Sequence, residues 1–164
     1  MLKSPNSRFS CDCNTSRKHG TGFTPDIVRA EKSYYIIRVQ QASRSGYEKL
    51  ISENIELSEA LFDLVDKHPE FEAVCQNLSI TTFRYIPLNT NENNLYLNTL
   101  NEELLNSLQA GGEVFLSNAI VNKNYCLRAC IVNFRTSLND IKEIIEIIIK
   151  EARKTHLKLI NQKK

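Results

Sequence analysis

Residues 125–136 read YCLRACIVNFRT. The stretch alternates like a strand. Tyr125, Leu127, Ala129 and Ile131 fall on one face, and Cys126, Arg128, Cys130 and Val132 on the other. The second face is apolar except for Arg128, whose guanidinium carries its charge at any physiological pH. A partly buried guanidinium needs an anion, preferably one that meets its planar fork with two oxygens. The plain alternative is an Asp or Glu of the same chain, or water.

Upstream, Val114–Val121 (VFLSNAIV) is a second apolar run, and Asn122-Lys123-Asn124 lies between the two. Three polar residues between apolar runs predict a β-hairpin. Downstream, Ser137-x-x-Asp140 predicts a helix start. Ile141, Ile144, Ile145 and Ile148 follow at helical spacing, with Asp140 at the positive end and Lys150, Arg153 and Lys154 at the negative end. Upstream of the hairpin, Thr99-Leu100-Asn101-Glu102 reads as a capping box for a helix with Leu100, Leu104, Leu105 and Leu108 on its apolar face. Gly111-Gly112 ends it. An Asn-rich loop, NTNENN, precedes that helix.

Leu78–Ile86 (LSITTFRYI) is rich in β-branched and aromatic residues, stops at Pro87 and predicts a strand containing Arg84. The chain sharpens at Ser45-Gly46-Tyr47-Glu48, a further capping box. Tyr47, Leu50, Ile51, Ile55, Ser58, Leu61, Phe62 and Val65 then make one stripe, and Pro69 closes the helix after Lys67 and His68. Helix, strand, helix, hairpin and helix together predict an α+β fold: a small antiparallel sheet with flanking helices.

Residues 1–45 are expected to be a poorly ordered N-terminal segment, because Ser, Asn, Gly and Pro leave little apolar surface to offset ordering. Residues 46–156 form the expected domain, and 157–164 a flexible tail. Cys11-x-Cys13 with His19 nearby matches no common zinc spacing, so no metal is expected. The chain has 164 residues, a net charge of +2, 41% hydrophobic and 24% charged residues. These values suit one globular domain, and the mixed charges offer no basic block for nucleic acid. The greasiest run, 141–149, is far short of the roughly 20 apolar residues of a membrane span. Five scattered cysteines without a leader-like apolar run read as free thiols in a cytoplasmic protein. Cys126 and Cys130 share a strand face about 13 Å apart and cannot bridge.

No phosphate-binding glycine loop is visible, since Gly111-Gly112 fits neither common spacing. His19, His68 and His156 are isolated, and no Ser or Cys has a base nearby in sequence. No catalytic residue is expected in this chain.

An ordered series of short motifs adds a family likeness. It runs through Gly46-Tyr47 with Ile51 and Leu57, His68-Pro69-Glu70-Phe71-Glu72, Leu78-Ser79 with Phe83-Arg84, and Leu97-Asn98 before Leu104. It continues through Gly112 with Val114-Phe115-Leu116-Ser117, Leu127-Arg128-Ala129-Cys130-Ile131, Asn133-Phe134-Arg135-Thr136 and Asp140-Ile141. The segment resembles the C-terminal small domain of the group II pyridoxal-phosphate-dependent amino-acid decarboxylases, which act on aromatic amino acids, glutamate and diaminobutyrate. The resemblance implies the small domain of the aspartate-aminotransferase fold, a lyase of amino-acid metabolism and pyridoxal phosphate as cofactor. It also implies a decarboxylase large domain or second subunit as partner, an amino-acid substrate and a homo-oligomer in the complete enzyme.

At the matching position the resemblance gives Arg128 the role of binding the substrate carboxylate. Arg84 receives no such role and is read as structural. The family's Schiff-base lysine follows a histidine; here the adjacent pair is Lys18-His19, in reverse order. The aspartate for the pyridine nitrogen, the stacking histidine and the phosphate loop have no match either, so no cofactor-binding residue is assigned and the chain alone is expected to be inactive. A truncated gene, a remnant or a separately encoded piece would each produce this pattern. A non-catalytic binding or association module of the same ancestry is the alternative.

Overall fold

The structure, a computed structural model, describes residues 44–88 and 93–162. The expected poorly ordered segment, but for residues 44 and 45, lies outside these residues, as do Cys11, Cys13 and His19.

Helix α1 spans Arg44–Lys67 and buries Asn54, Ser58, Leu61 and Val65. Their spacing follows one helical stripe, so the C-terminal half of α1 is the half that meets the core. The N-terminal half is less engaged: Ile51 is 53% exposed. Ser45, the expected cap, lies within the helix rather than before it. The helix is already running at Arg44, and the Glu48 carboxylate accepts from Arg44 Nε one turn back, at 3.0 Å.

The strand expected over 78–86 is present and pairs with a strand just upstream that the sequence reading did not predict. β1 (Phe71–Asn77) and β2 (Ile80–Tyr85) pair in antiparallel register, with Asn77 opposite Ile80. Leu78, expected to start a strand, lies in the turn with φ 51°. β1 escapes the alternation rule because its register shifts between Ala73 and Cys75, so its side chains do not keep a strict period of two.

Helix α2 covers Asn94–Gly111. Its N-cap is Asn93, whose side chain accepts from the Tyr96 amide at 2.9 Å. The expected start at Thr99 is therefore superseded, and the Thr99 hydroxyl instead donates back to the Leu95 carbonyl within the helix. The leucine face is as expected, with Leu100, Leu104, Leu105 and Leu108 buried. Gly112 ends the helix with φ 73°, a left-handed conformation suited to glycine, and its amide donates to the Leu108 carbonyl.

β3 (Ser117–Val121) and β4 (Asn124–Cys130) form the second hairpin. Its loop has two residues rather than three, because Asn124 pairs with Val121. Asn122 and Lys123 have φ 51° and 67°, which matches the right-handed twist of the flanking strands. Asn98 of α2 grips this turn: its side chain accepts from the Tyr125 amide at 2.8 Å and donates to the Lys123 carbonyl at 3.0 Å.

Helix α3 spans Leu138–Gln162, so it runs into the stretch expected as a tail. Ser137 and Asp140 make the expected reciprocal cap. Asp140 Oδ2 accepts from the Ser137 amide at 2.7 Å, and the Asp140 amide donates to Ser137 Oγ at 3.3 Å.

The four strands lie in the order β1-β2-β4-β3, all antiparallel. Phe71, Phe83, Tyr85, Leu127 and Ala129 join the leucines of α2 and the isoleucines of α3 in one core. The Ser58–Thr81 hydroxyl pair, 2.9 Å apart, ties α1 to the same sheet face. α3 packs chiefly on α1 and α2 rather than on the strands. On the other face Ala119, Val121 and Cys126 form a smaller cluster. The two faces of β4 are those read from its sequence: Leu127, Ala129 and Ile131 are in the main core, while Cys126 and Arg128 point away from it.

Candidate functional site

Both sheet arginines lie on the face opposite the helices, yet their surroundings differ. Arg84, on β2, is 7% exposed. It stands opposite Glu72 of β1 and donates through Nε to that carboxylate. Its Nη1 also reaches Asn94 Oδ1 at 3.5 Å. A buried guanidinium with a cross-strand carboxylate is already satisfied, so Arg84 serves the fold.

Arg128 sits one strand over, opposite Thr82 of β2 and Ser117 of β3. It is half-buried. Its Nε donates to Ser117 Oγ at 2.9 Å, and Ser117 Oγ lies 3.3 Å from the Arg128 carbonyl oxygen, to which it donates. Among the described residues no carboxylate pairs with Arg128, and its two terminal nitrogens have no hydrogen-bond partner. Two parallel terminal N–H donors of this kind match the two oxygens of a carboxylate or phosphate.

Ser117 is the residue sequence reading missed. It appears in the sequence only as the end of a motif. Its place opposite Arg128 emerges once the loop is fixed at two residues, because that sets the register.

The remaining candidate groups are committed elsewhere. The Cys126 thiol is fully buried; burial above all pushes its pKa up to about 11, so it is protonated at neutral pH and a poor nucleophile. His68 Nδ1 accepts from the Glu70 amide at 3.2 Å, and His156 Nδ1 lies 2.7 Å from the Tyr96 hydroxyl. Among the described residues no three His, Cys, Asp or Glu side chains group to hold a metal ion, and no helix is long and apolar enough to cross a membrane.

No protein-family profile matches the chain. Two curated proteins of Arabidopsis thaliana are similar to it. Phenylacetaldehyde synthase is 30% identical over 103 residues, which is 62% of this chain and 21% of that one. Tyrosine decarboxylase 2 is 26% identical over 127 residues, 77% and 23% of the two chains. Among solved structures, Oryza sativa TDC with pyridoxal phosphate and tryptamine superposes with a TM-score of 0.62 at 18% identity, covering 67% of this chain and 24% of that one.

Over this segment the chain is similar to group II pyridoxal-phosphate-dependent decarboxylases. Its sheet and helices have the fold of the small domain in the aspartate-aminotransferase type, matching a fragment of these enzymes. The chain spans about a fifth to a quarter of the length of the decarboxylase relatives it matches.

The described residues do not fit pyridoxal phosphate by themselves. Every described lysine side chain is exposed. Arg84 is committed to Glu72, and Gly112 ends a helix rather than opening one that could seat a phosphate.

Proposed function

We propose that residues 46–156 act as the small-domain portion of a pyridoxal-phosphate-dependent amino-acid decarboxylase, with Arg128 binding the substrate carboxylate. The observation that carries this reading is the contrast between the two sheet arginines: Arg84 has a carboxylate from its own chain, and Arg128 has none among the described residues. A bidentate contact fixes both the position and the plane of a carboxylate. Binding of that kind orients a substrate against a cofactor that performs the electronic work.

In this reading the 164 residues alone neither hold the cofactor nor turn over. The large domain supplies the Schiff-base lysine and the phosphate seat. The working assembly is homo-oligomeric and handles an amino acid. Thiols at Cys126 and Cys130 that form no disulfide support a cytoplasmic setting.

The test joins the chain to the part of tyrosine decarboxylase 2 that precedes the matched region, and measures release of carbon dioxide from tyrosine. Activity is expected only with both parts present. Arg128→Met should then raise KM by about tenfold or more, the scale of one lost charge-assisted pair. A joint sample that assembles yet releases no carbon dioxide would favour the binding-module alternative. Turnover unaffected by Arg128→Met would remove Arg128 from the site.

A further inference from the structure

A guanidinium can meet a carboxylate in two ways. It can offer both terminal nitrogens, end-on, or one terminal nitrogen together with Nε, side-on; each presents two parallel N–H donors. In this protein the choice is already made. Ser117 stands directly across the β3–β4 ladder from Arg128. Its hydroxyl accepts from Arg128 Nε at 2.9 Å and donates to the Arg128 carbonyl oxygen at 3.3 Å. One side chain thus ties the guanidinium to its own backbone, on a strand whose turn is gripped by Asn98.

We infer that Ser117 is a positioning residue: by occupying Nε it forces Arg128 to take a carboxylate end-on, through its two terminal nitrogens alone. This rests on the carboxylate-binding reading of Arg128 and adds to it the direction of approach. A ligand must come along the long axis of the guanidinium, with its carboxylate coplanar with the fork. A hydroxyl suits the task because it can accept from Nε and donate to a carbonyl at once, as neither alanine nor valine can. Threonine can.

The test is nuclear magnetic resonance of the full 164-residue chain, with sodium acetate as the probe and sodium chloride as the control. In the wild-type chain the Arg128 Nε–H should exchange slowly with water. Acetate should shift the guanidinium terminal nitrogens and leave Nε–H exchange unchanged. Ser117→Ala should speed Nε–H exchange about five- to tenfold, the value of one ordinary hydrogen bond, and acetate should then slow it again by moving to the side-on position. Ser117→Thr should restore wild-type behaviour, which a purely packing role for residue 117 would not require.

Nε–H exchange that is indifferent to Ser117→Ala overturns the inference. So does acetate that protects Nε in the wild-type chain, a measurement that stands even if the alanine variant fails to fold. Acetate that moves no Arg128 signal in any of the three proteins, with Nε still protected, overturns the carboxylate reading itself and takes the end-on inference with it.

Discussion

Glu70 and Arg153 lie 83 positions apart in sequence and meet side chain to side chain, Arg153 Nη2 donating to Glu70 Oε2 at 2.5 Å and Nε to Oε1 at 3.2 Å. The Tyr85 hydroxyl donates to the same Oε1 at 3.0 Å. Glu70 is only 4% exposed, and its carbonyl accepts from the Ile86 amide at 2.8 Å. One carboxylate therefore joins the entry to β1, the end of β2 and the C-terminal half of α3.

The clasp predicts an acid-sensitive stability. The hydrogen bond from Arg153, more than any other influence, holds the Glu70 carboxyl below the usual carboxylate range, against the opposing pull of burial. A carboxyl depressed in the folded state adds stability that is present above its unfolded value, about 4.3, and lost as pH falls through the folded one. Glu70→Gln should cost about 1–3 kcal/mol at neutral pH, measured by urea unfolding. The gap between variant and wild type should close as pH drops below the ordinary glutamate range. A gap independent of pH would show that the charge on Glu70 is not what the clasp uses.

Asn101 offers a second test, free of charge. It is fully buried on α2, accepts from the Tyr85 amide at 2.8 Å, and donates to the Tyr85 carbonyl at 3.0 Å and the Leu97 carbonyl at 2.8 Å. Asn101→Ala leaves the β2 backbone amide buried without a partner. We expect a loss of about 2–4 kcal/mol and faster hydrogen exchange at the Tyr85 amide. Unchanged exchange at that amide would show that β2 ends without help from α2.

The strand bearing Arg128 also carries two thiols in opposite states, Cys126 buried and Cys130 exposed. Brief treatment of the native chain with iodoacetamide, followed by peptide mass spectrometry, should find Cys130 modified and Cys126 intact. Cys126 should react only after unfolding, given burial and a pKa near 11. Equal labelling of the two would mean that β4 opens readily.

Local signals carried much of this fold, and long-range ones did not. The Ser137–Asp140 cap, the leucine face of α2 and the two faces of β4 rest on neighbours a few residues apart, so they were legible. β1 was not, because a shifted register erased its alternation. The start of α2 was not, because the pattern at Thr99 is a local cap signal, whereas the cap at Asn93 goes with the burial of Tyr96 and Leu97 in the core. Arg128 stood out as a cation on an apolar strand face. Its partner Ser117 did not, since a cross-strand neighbour depends on loop length. Arg84, read as structural because the likeness gives it no role, owes that role to Glu72 on a strand the sequence does not reveal.

The order β1-β2-β4-β3 has a kinetic meaning. Each hairpin closes over a two-residue loop and is cheap to nucleate. The seam between them is different: β2 must find β4 through pairs such as Thr81 with Ala129, with all of α2 lying between. Folding should therefore wait on that single distant docking, and its speed should follow changes along the seam more than changes in either turn.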